Sequence, residues 1–449
     1  MILDQYYQYC PEFIKKFVRK VNDSKFGKRI SNAVFWSMFG AALQKFLLLV
    51  SSFACVKILG KDDYGRLGII RSTIQVFILF GAVGLGSTAT KFIAEFREKD
   101  EKKLTCYYST IKVINLLAAA VVTGIILLLG KRVALYLEDV TLTSSIRIGA
   151  ILLFFSILNS IQTGVLAGLE DFKHIAIVSI VGGIAEFIFI IAGSYFWSVK
   201  GALVGYGVGF LVITLLNEYY IRKNKALKTT LSAINIQDIK TIFLFSVPLM
   251  GSSLMVTPVI WYVQTMLVKA CNFEELAVYT AADQWRMVML FIPSALSRVI
   301  LPMLSNVLAS NEQKDYAKLL LLNIKINLIT TATIFALFLA ASPVIIYLYG
   351  FSWKTFPVFA FLTGSTLFSC LAVVAGQAIT SRSKTWIGFL FNLTWGSMII
   401  LFSYLFLRMG LKAAAIALAT LISYVLHASF QMIYLYCILK NKSNVPIYA

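Results

Sequence analysis

The sequence predicts an all-α polytopic membrane protein of about twelve transmembrane helices, built as two six-helix lobes related by a parallel internal repeat. Three observations predict this fold. Of the 449 residues, 59% are hydrophobic and only 14% are charged, whereas soluble domains contain about 25% charged residues. The apolar residues form runs of about 20, the length that a helix needs to cross a bilayer. The two halves also resemble each other at an offset close to 212 residues.

Each predicted span is a long apolar run bounded by polar residues, and the connections between spans are short. Spans 1 to 12 cover 31–57, 67–90, 108–129, 147–168, 174–196, 200–221, 240–268, 278–303, 317–348, 355–379, 385–408 and 412–438. A β-barrel would instead show short segments of alternating hydrophobicity, and the sequence has no such pattern.

Basic residues predict the orientation of the chain. With the N-terminus in the cytoplasm, the cytoplasmic side holds 25 Lys and Arg residues and the opposite side holds ten. Because Lys and Arg concentrate in cytoplasmic loops, both termini are expected on the cytoplasmic side. The net charge of +20 is explained in this way, and no separate basic domain suggests nucleic-acid binding.

The internal repeat predicts the domain organisation. The segment VKILGKDDYGRLG at Val56 aligns without a gap with VKACNFEELAVYT at Val268. Because the offset spans six helices, an even number, the two copies enter the membrane from the same side and form parallel repeats. The predicted units are a basic amphipathic N-terminal segment (1–30), a first lobe (31–221), a cytoplasmic linker (222–239), a second lobe (240–438) and a tail (439–449).

The sequence carries no sign of catalysis or of a bound cofactor. It contains no GxSxG, HExxH or P-loop pattern. The six cysteines are scattered without a CxxC and only two histidines are present, so no metal site is predicted. A membrane polymerase or ligase would need a large outer loop to hold its catalytic residues, and the predicted outer loops are short. We therefore expect a protein that is not an enzyme.

Four segments carry a resemblance to a known family. They are KILGKDDYGRLGII after span 1, GAVGLGSTATKFIAEF at the end of span 2, VLAGLEDFKHIAIVSIVGGI between spans 4 and 5, and YTAADQWRMVMLFIPSALSRVILPMLS in span 8. With these segments the chain resembles the MOP (multidrug/oligosaccharidyl-lipid/polysaccharide) superfamily, and within it the polysaccharide flippase branch of Wzx-like O-antigen and oligosaccharide exporters.

The resemblance implies a MATE/MOP-like fold with a central cavity and alternating access. The implied activity is movement of a polyprenyl-pyrophosphate-linked oligosaccharide, an O-antigen or capsule repeat unit, to the outer leaflet of the bacterial inner membrane. Transport in this superfamily can be driven by Na⁺ or H⁺, and a polymerase and chain-length proteins of the same pathway are the implied partners. The alternative is a MATE-like cation-coupled drug antiporter, which would favour an acidic cavity, whereas the deep charges here are net positive.

Three basic residues inside the spans are candidates for substrate binding: Lys45, Arg71 and Arg286. Charges at this depth usually face the bundle interior or a wet cavity, and a cationic cavity would suit a pyrophosphate, which Arg can bind bidentately. The alternative is internal ion pairing, of Asp283 with Arg286 at i,i+3 and of Lys45 with Glu186.

Two carboxylates complete the candidate site. At the repeat offset Arg71 falls on Asp283, so we expect these residues to form a gate at the outer mouth, with Arg286 free for the anionic head group. Glu186 and Asp283 are also candidate coupling carboxylates, because burial in a low-dielectric cavity favours reversible protonation.

Further candidates lie toward the cytoplasmic face and among the aromatic residues. Lys112, Lys325 and Arg298 are candidates for a basic entrance, with ordinary anchoring and snorkelling as the alternative. Aromatic residues of spans 7 and 8 could stack on sugar rings, although interface anchoring predicts the same residue types. These aromatic candidates are Trp261, Tyr262, Tyr279 and Trp285.

Prolines predict where the helices bend. Span 7 contains Pro248 and Pro258, and span 8 contains Pro293 and Pro302, whereas spans 1 and 2 contain none. Because proline frees backbone carbonyls and kinks a helix, we expect the second lobe to bend more readily than the first.

Overall fold

A computed structural model describes residues 25–440, except 83, 225–226, 228–235, 292, 295–312 and 383. Its regular structure in this part of the chain is helical. The helices are α1 Lys25–Ala82, α2 Leu85–Phe96, α3 Glu101–Tyr136, α4 Leu142–Gly168, α5 Phe172–Lys223, α6 Ile236–Leu254, α7 Thr257–Ala270, α8 Phe273–Met289, α9 Gln313–Leu348, α10 Phe356–Ser381, α11 Thr385–Arg408 and α12 Lys412–Lys440. Most of the predicted N-terminal segment, much of the linker, and the tail beyond Lys440 lie outside the described residues.

Helix α1 reverses direction at Gly60 and so supplies spans 1 and 2. Gly60 has a φ of 79° inside a 58-residue helix, a conformation that glycine adopts without steric cost. The hydroxyls of Ser52 and Tyr64 lie 2.5 Å apart, although a straight helix would separate residues at this spacing by about 18 Å. The two halves of α1 therefore pack against each other as a hairpin.

Helix α5 reverses in the same way and supplies spans 5 and 6. Its backbone leaves helical geometry at Trp197 and Ser198. Beside this reversal the two arms approach at glycines, and a Cβ added to Gly193 would lie 2.1 Å from the carbonyl oxygen of Gly201. Glycine is therefore required here for the arms to come together.

Breaks occur in both lobes, and the expected difference in bending between the lobes stays a prediction. Span 7 is divided between α6 and α7, and Pro258 stands in the first turn of α7. Span 2 is divided as well, because Gly84 adopts the left-handed conformation between α1 and α2. Glycine thus breaks a helix of the first lobe where the sequence offers no proline.

The repeat is visible in the positions of helix ends. Helix α3 ends at Tyr136, and α9 ends 212 positions later, at Leu348. Four of the eight described residues with positive φ follow the same register. They form the pairs Glu138 with Gly350 and Ser198 with Gly410. The two lobes therefore share one chain path.

Eight helical segments of the described chain are long and apolar enough to cross a membrane. Two of them, Phe35–Phe96 and α5, contain the reversals and so supply two spans each. These eight segments supply ten spans, and α6 with α7, and α8, lie at the positions of predicted spans 7 and 8. The structure thus confirms the predicted all-α fold of about twelve spans in two lobes. The exact lobe and linker boundaries stay a prediction.

Substitution at the α5 hairpin tests the close approach of its arms. We expect Gly193→Ala to lower the melting temperature in detergent, because the added methyl meets backbone and overpacking costs about 1–3 kcal/mol. Gly124→Ala is the matched control, since a Cβ there meets nothing within 4 Å and alanine is the better helix former. The melting temperatures are measured by tryptophan fluorescence. Equal values for the two variants would contradict the hairpin geometry.

Candidate functional site

The two lobes contact each other closely at the end of the molecule that carries the Gly60 reversal and the α7–α8 connection. We call this contact, between Ser52–Thr73 of α1 and the residues of α7, α8 and Tyr349, the seam. A Cβ added to Gly65 would lie 1.9 Å from the carbonyl oxygen of Phe273, and one added to Gly68 would lie 2.7 Å from Thr280 Oγ1. At Gly65 the backbones of α1 and α8 are therefore in direct contact, whereas Gly68 packs against the side chain of Thr280.

A chain of buried hydroxyl groups crosses the seam. Gln284 Nε2 donates to Tyr64 Oη at 3.1 Å, and Tyr64 Oη lies 2.5 Å from Ser52 Oγ. Ser52 Oγ is in turn 3.2 Å from Tyr349 Oη, directly after α9. Tyr64 and Tyr349 are almost fully buried, so these bonds join the lobes without water.

Aromatic side chains surround the hydroxyl chain. The ring centroids of Phe53 and Tyr349 are 4.1 Å apart, and Trp285 packs edge-on against Phe53 at 6.1 Å. Trp261 Nε1 donates to Thr73 Oγ1 at 2.9 Å. Trp261 and Trp285, predicted to stack on sugar, are therefore engaged across the seam in this structure.

The other two aromatic candidates differ in exposure. Tyr279 is only 1% exposed, whereas Tyr262 is 39% exposed. Tyr262 is thus the most exposed of the four candidates. The sugar-stacking role of all four stays a prediction.

Glu186 is the buried carboxylate of the first lobe. It is 1% exposed, and Gln44 Nε2 donates to its Oε2 at 3.2 Å. The guanidinium of Arg71 lies over the ring of Tyr206 at 4.2 Å, and its positive charge acts on Glu186. The predicted partner of Glu186 was Lys45. The structure places the preceding residue, Gln44, against the carboxylate, while Lys45 is exposed.

Asp283 and Arg286 form the buried ion pair of the second lobe. Arg286 Nε donates to Asp283 Oδ1 at 2.6 Å, and the two side chains are 3% and 17% exposed. The structure therefore shows the alternative of pairing at i,i+3, and Arg286 is not left open for a head group. Arg71 and Asp283, both described, form no ion pair with each other here. Their role as a gate stays a prediction.

Two of the three candidate entrance residues are described. Lys112 Nζ lies 2.6 Å from Glu218 Oε1, and the same carboxylate also accepts from Arg222. Lys325 is exposed on α9, and Arg298 lies outside the described residues. The role of these three basic residues as an entrance stays a prediction.

A cavity of about 330 Å³ lies between α2 and α4 in the first lobe. Glycine and alanine form part of its wall, and the hydroxyl-bearing residues that line it are Ser87, Thr90, Ser160 and Thr163. Among the described residues, no group of three or more His, Cys, Asp or Glu side chains could hold a metal ion. The cavity can therefore offer hydrogen bonds, but neither charge nor metal ligands.

Sequence reasoning missed the seam, although its signal was present. Tyr64, Gly65 and Gly68 all belong to the segment KILGKDDYGRLGII, which pointed to the family. Their function as a contact depends on Phe273 and Thr280, more than 200 positions away, and no local pattern reveals such a pairing.

Comparison with known proteins supports a common family. Residues 30–308 match the family described as "Polysaccharide biosynthesis protein". A relative from Shigella flexneri, the "Putative O-antigen transporter", is 24% identical over 371 residues, which are 79% of this chain and 85% of the relative. The "EPS I polysaccharide export inner membrane protein EpsE" of Ralstonia nicotianae is 26% identical over 206 residues, 43% of this chain and 45% of that protein.

Solved structures of transporters share the fold. An inward-facing multidrug resistance MATE family transporter of the MOP superfamily superposes with a TM-score of 0.78 at 15% identity, covering 89% of this chain and 96% of that one. A MOP superfamily transporter from Pyrococcus furiosus gives a TM-score of 0.66 at 15% identity, covering 92% and 97%. At this identity the likeness establishes the fold.

The seam geometry predicts a specific cross-link. In a cysteine-free background, Gly68→Cys with Thr280→Cys is expected to form a disulfide on mild oxidation. A Cβ at position 68 would lie 3.5 Å from Thr280 Cβ, at the short end of the disulfide range. Maleimide labelling should find no free thiols in the oxidised double variant and one in each single variant. Persistent free thiols in the double variant would contradict the seam.

The buried ion pair predicts non-additive stability. Asp283→Asn leaves Arg286 without a counterion and is expected to cost about 3–5 kcal/mol of unfolding free energy. The double variant Asp283→Asn/Arg286→Gln should recover most of this loss, because it leaves no uncompensated charge. The measurement is a double-mutant cycle by denaturant unfolding in mixed micelles. Additive losses would show that the pair is not coupled.

Proposed function

The chain belongs to the polysaccharide biosynthesis protein family, and from this premise we propose that it is a flippase for a lipid-linked oligosaccharide. The substrate is a polyprenyl-pyrophosphate-linked repeat unit of O-antigen or capsule, moved from the cytoplasmic to the outer leaflet of the inner membrane. The family match over residues 30–308 carries this proposal. Relatives described as an O-antigen transporter and a polysaccharide export protein support it.

The seam supports an alternating-access mechanism. It closes one end of the interface between the lobes, and the distribution of basic residues predicts that this end faces outward. In transporters built from repeats, substrate sites lie between the repeats near the bilayer midplane. Opening of the seam, with closure of the opposite end, would expose a bound substrate to the outer leaflet.

Charge supports an anionic substrate group. Arg71 is partly buried in the first lobe, and Lys45 is exposed on α1, so both are proposed contacts for the pyrophosphate. Arg286 is held by Asp283 and becomes available only if Asp283 is neutralised. Protonation of Asp283, or binding of Na⁺ to it, would therefore free Arg286 and couple substrate binding to an H⁺ or Na⁺ gradient. Glu186 is proposed as a second coupling carboxylate, in the first lobe.

Uncharged polar groups support a sugar as the remaining part of the substrate. The cavity between α2 and α4 presents hydroxyls to sugar hydroxyl groups. Those of Thr90 and Thr163 already donate within the chain and can accept, and those of Ser87 and Ser160 can donate as well as accept. We propose no catalytic role for any of these residues. A polymerase and chain-length proteins of the same pathway are the proposed partners, and both termini are proposed to lie in the cytoplasm.

A cation-coupled drug antiporter is the second candidate, favoured by the MATE-like fold. An antiporter for cationic drugs needs unpaired acidic groups in its cavity. Here Asp283 is paired with Arg286 and Glu186 lies near the charge of Arg71. The charge distribution therefore favours the flippase.

A deletion strain tests the proposal. Loss of the gene is expected to abolish surface polysaccharide and to trap lipid-linked repeat units on the inner leaflet, because assembly continues on the cytoplasmic side. Wild-type protein should restore export. The oxidised Gly68→Cys/Thr280→Cys variant should restore it only after reduction, because the cross-link holds the seam closed. Unchanged surface glycan together with altered drug sensitivity would contradict the flippase and support the antiporter.

A further inference from the structure

Helix α12 carries a line of polar side chains on a buried face. Thr420, Ser423, His427 and Gln431 are 3%, 0%, 4% and 3% exposed. Their spacing of three to four residues places them on one side of the helix. The line is about 16 Å long at 1.5 Å per residue, which is roughly half of the hydrocarbon core of a bilayer. The second lobe thus holds a polar line at membrane depth.

Several of these polar atoms have no hydrogen-bond partner within the described chain. They include Ser423 Oγ, Gln431 Oε1 and His427 Nδ1. His427 Nε2 lies 3.1 Å from Gln431 Nε2. An orphaned polar group in hydrocarbon is costly, and buried water commonly satisfies such groups when two or more lie together. The α12 face therefore presents buried polar atoms that bound water could satisfy.

The Thr420 end of the line adjoins the ion pair of α8. The hydroxyl of Tyr279 hydrogen-bonds to Thr420, and Arg286 interacts electrostatically with both Tyr279 and Tyr424. The rings of Tyr424 and His427 are 6.4 Å apart. Polar groups therefore extend from His427 to the Asp283–Arg286 pair.

Among the described residues, few other ionisable groups face this line. The helices packed against α12 are α7, α8, α10 and α11. Away from the helix ends, the ionisable residue of α7 is Tyr262 and that of α11 is Tyr404, and they are 39% and 48% exposed. The ionisable residue of α10 is Cys370, whose thiol donates to the Leu367 carbonyl. From α8, the groups that act on the line are Tyr279, Asp283 and Arg286, and on α12 itself Tyr424 adjoins His427.

An apolar cluster follows the Gln431 end of the line. Leu435, one helical turn beyond Gln431, is buried with Tyr316 and Ile379. The line is therefore sealed from the cytoplasmic end of α12 in this structure, and exchange with that side requires the cluster to open.

We propose that the buried polar face of α12 is a hydrated proton path between His427 and the Asp283–Arg286 pair. A proton taken up on the imidazole of His427 passes along the hydroxyls and water to an oxygen of Asp283. His427 returns to its neutral form and Asp283 becomes a neutral acid, so that Arg286 is released from its counterion. The path itself stands on the geometry of the second lobe, and only its effect on transport rests on the proposed function.

The chain offers a clean spectroscopic test, because its two histidines are His174 and His427. His174→Asn leaves one imidazole, which ¹⁵N-histidine NMR can follow in lipid nanodiscs. We expect its ring signals to change from neutral to imidazolium values as the pH is lowered from about 8 to about 4, because imidazole can exchange a proton in this range when a hydrated path reaches it. Further substitution by His427→Gln should remove the signal and so confirm the assignment.

Two comparisons decide the outcome. Asp283→Asn should alter the pH dependence of the His427 signal, whereas Glu274→Gln, at the exposed start of the same helix, should not. Ring signals that stay constant with pH and do not exchange with deuterated solvent would overturn the path. A titration that both α8 variants leave unchanged would overturn the link to Asp283.

A transport measurement separates this inference from the proposed function. In liposomes, His427→Gln is expected to abolish the acceleration of oligosaccharide transfer by a pH gradient while transfer without a gradient continues. Acceleration equal to that of the wild type would contradict the path. Absence of transfer by the wild-type protein, with the NMR titration intact, would overturn the flippase function and leave the proton path supported.

Discussion

The bilayer supplies no hydrogen-bond partners, and this constraint governs every polar residue in the interior of the protein. A polar or charged group at membrane depth must therefore be satisfied by another group of the chain, by trapped water or by substrate. Arg286 satisfies this requirement with Asp283, and Glu186 with Gln44. The hydroxyl chain through Tyr64 and Ser52 does so between the lobes, so the same constraint that stabilises each lobe also joins them.

Close helix packing is the second element of the architecture. In lipid there is no hydrophobic drive between helices, and small residues allow the backbone contacts that replace it. Gly193 and Gly201 bring the arms of α5 together, and Gly65 and Gly68 bring α1 against α8. The first pair lies within a lobe and stabilises it. The second pair lies between lobes, where the contact must also be able to separate if the protein alternates between two states.

The sequence predicted the features that depend on local pattern. Apolar runs predicted the spans, and the repeat offset agrees with the ends of α3 and α9. The i,i+3 spacing of Asp283 and Arg286 allowed their pairing, which the structure shows. Contacts between distant residues were beyond local pattern. In the sequence, charge favoured Lys45 as the partner of Glu186. Adjacent residues on a helix differ in direction by about 100°, so only one of Gln44 and Lys45 can point at the carboxylate. The packing of α1 against α5 places Gln44 there.

The two lobes are proposed to carry a lipid-linked oligosaccharide across the membrane. The most direct measurement is transfer of a polyprenyl-pyrophosphate-linked oligosaccharide in liposomes that contain only the purified protein, followed by accessibility of the glycan to a glycosidase outside. We expect inner-leaflet substrate to become accessible with the wild-type protein and to stay protected when the Gly68→Cys/Thr280→Cys cross-link closes the seam. Equal accessibility with wild-type protein and with empty liposomes would contradict the account.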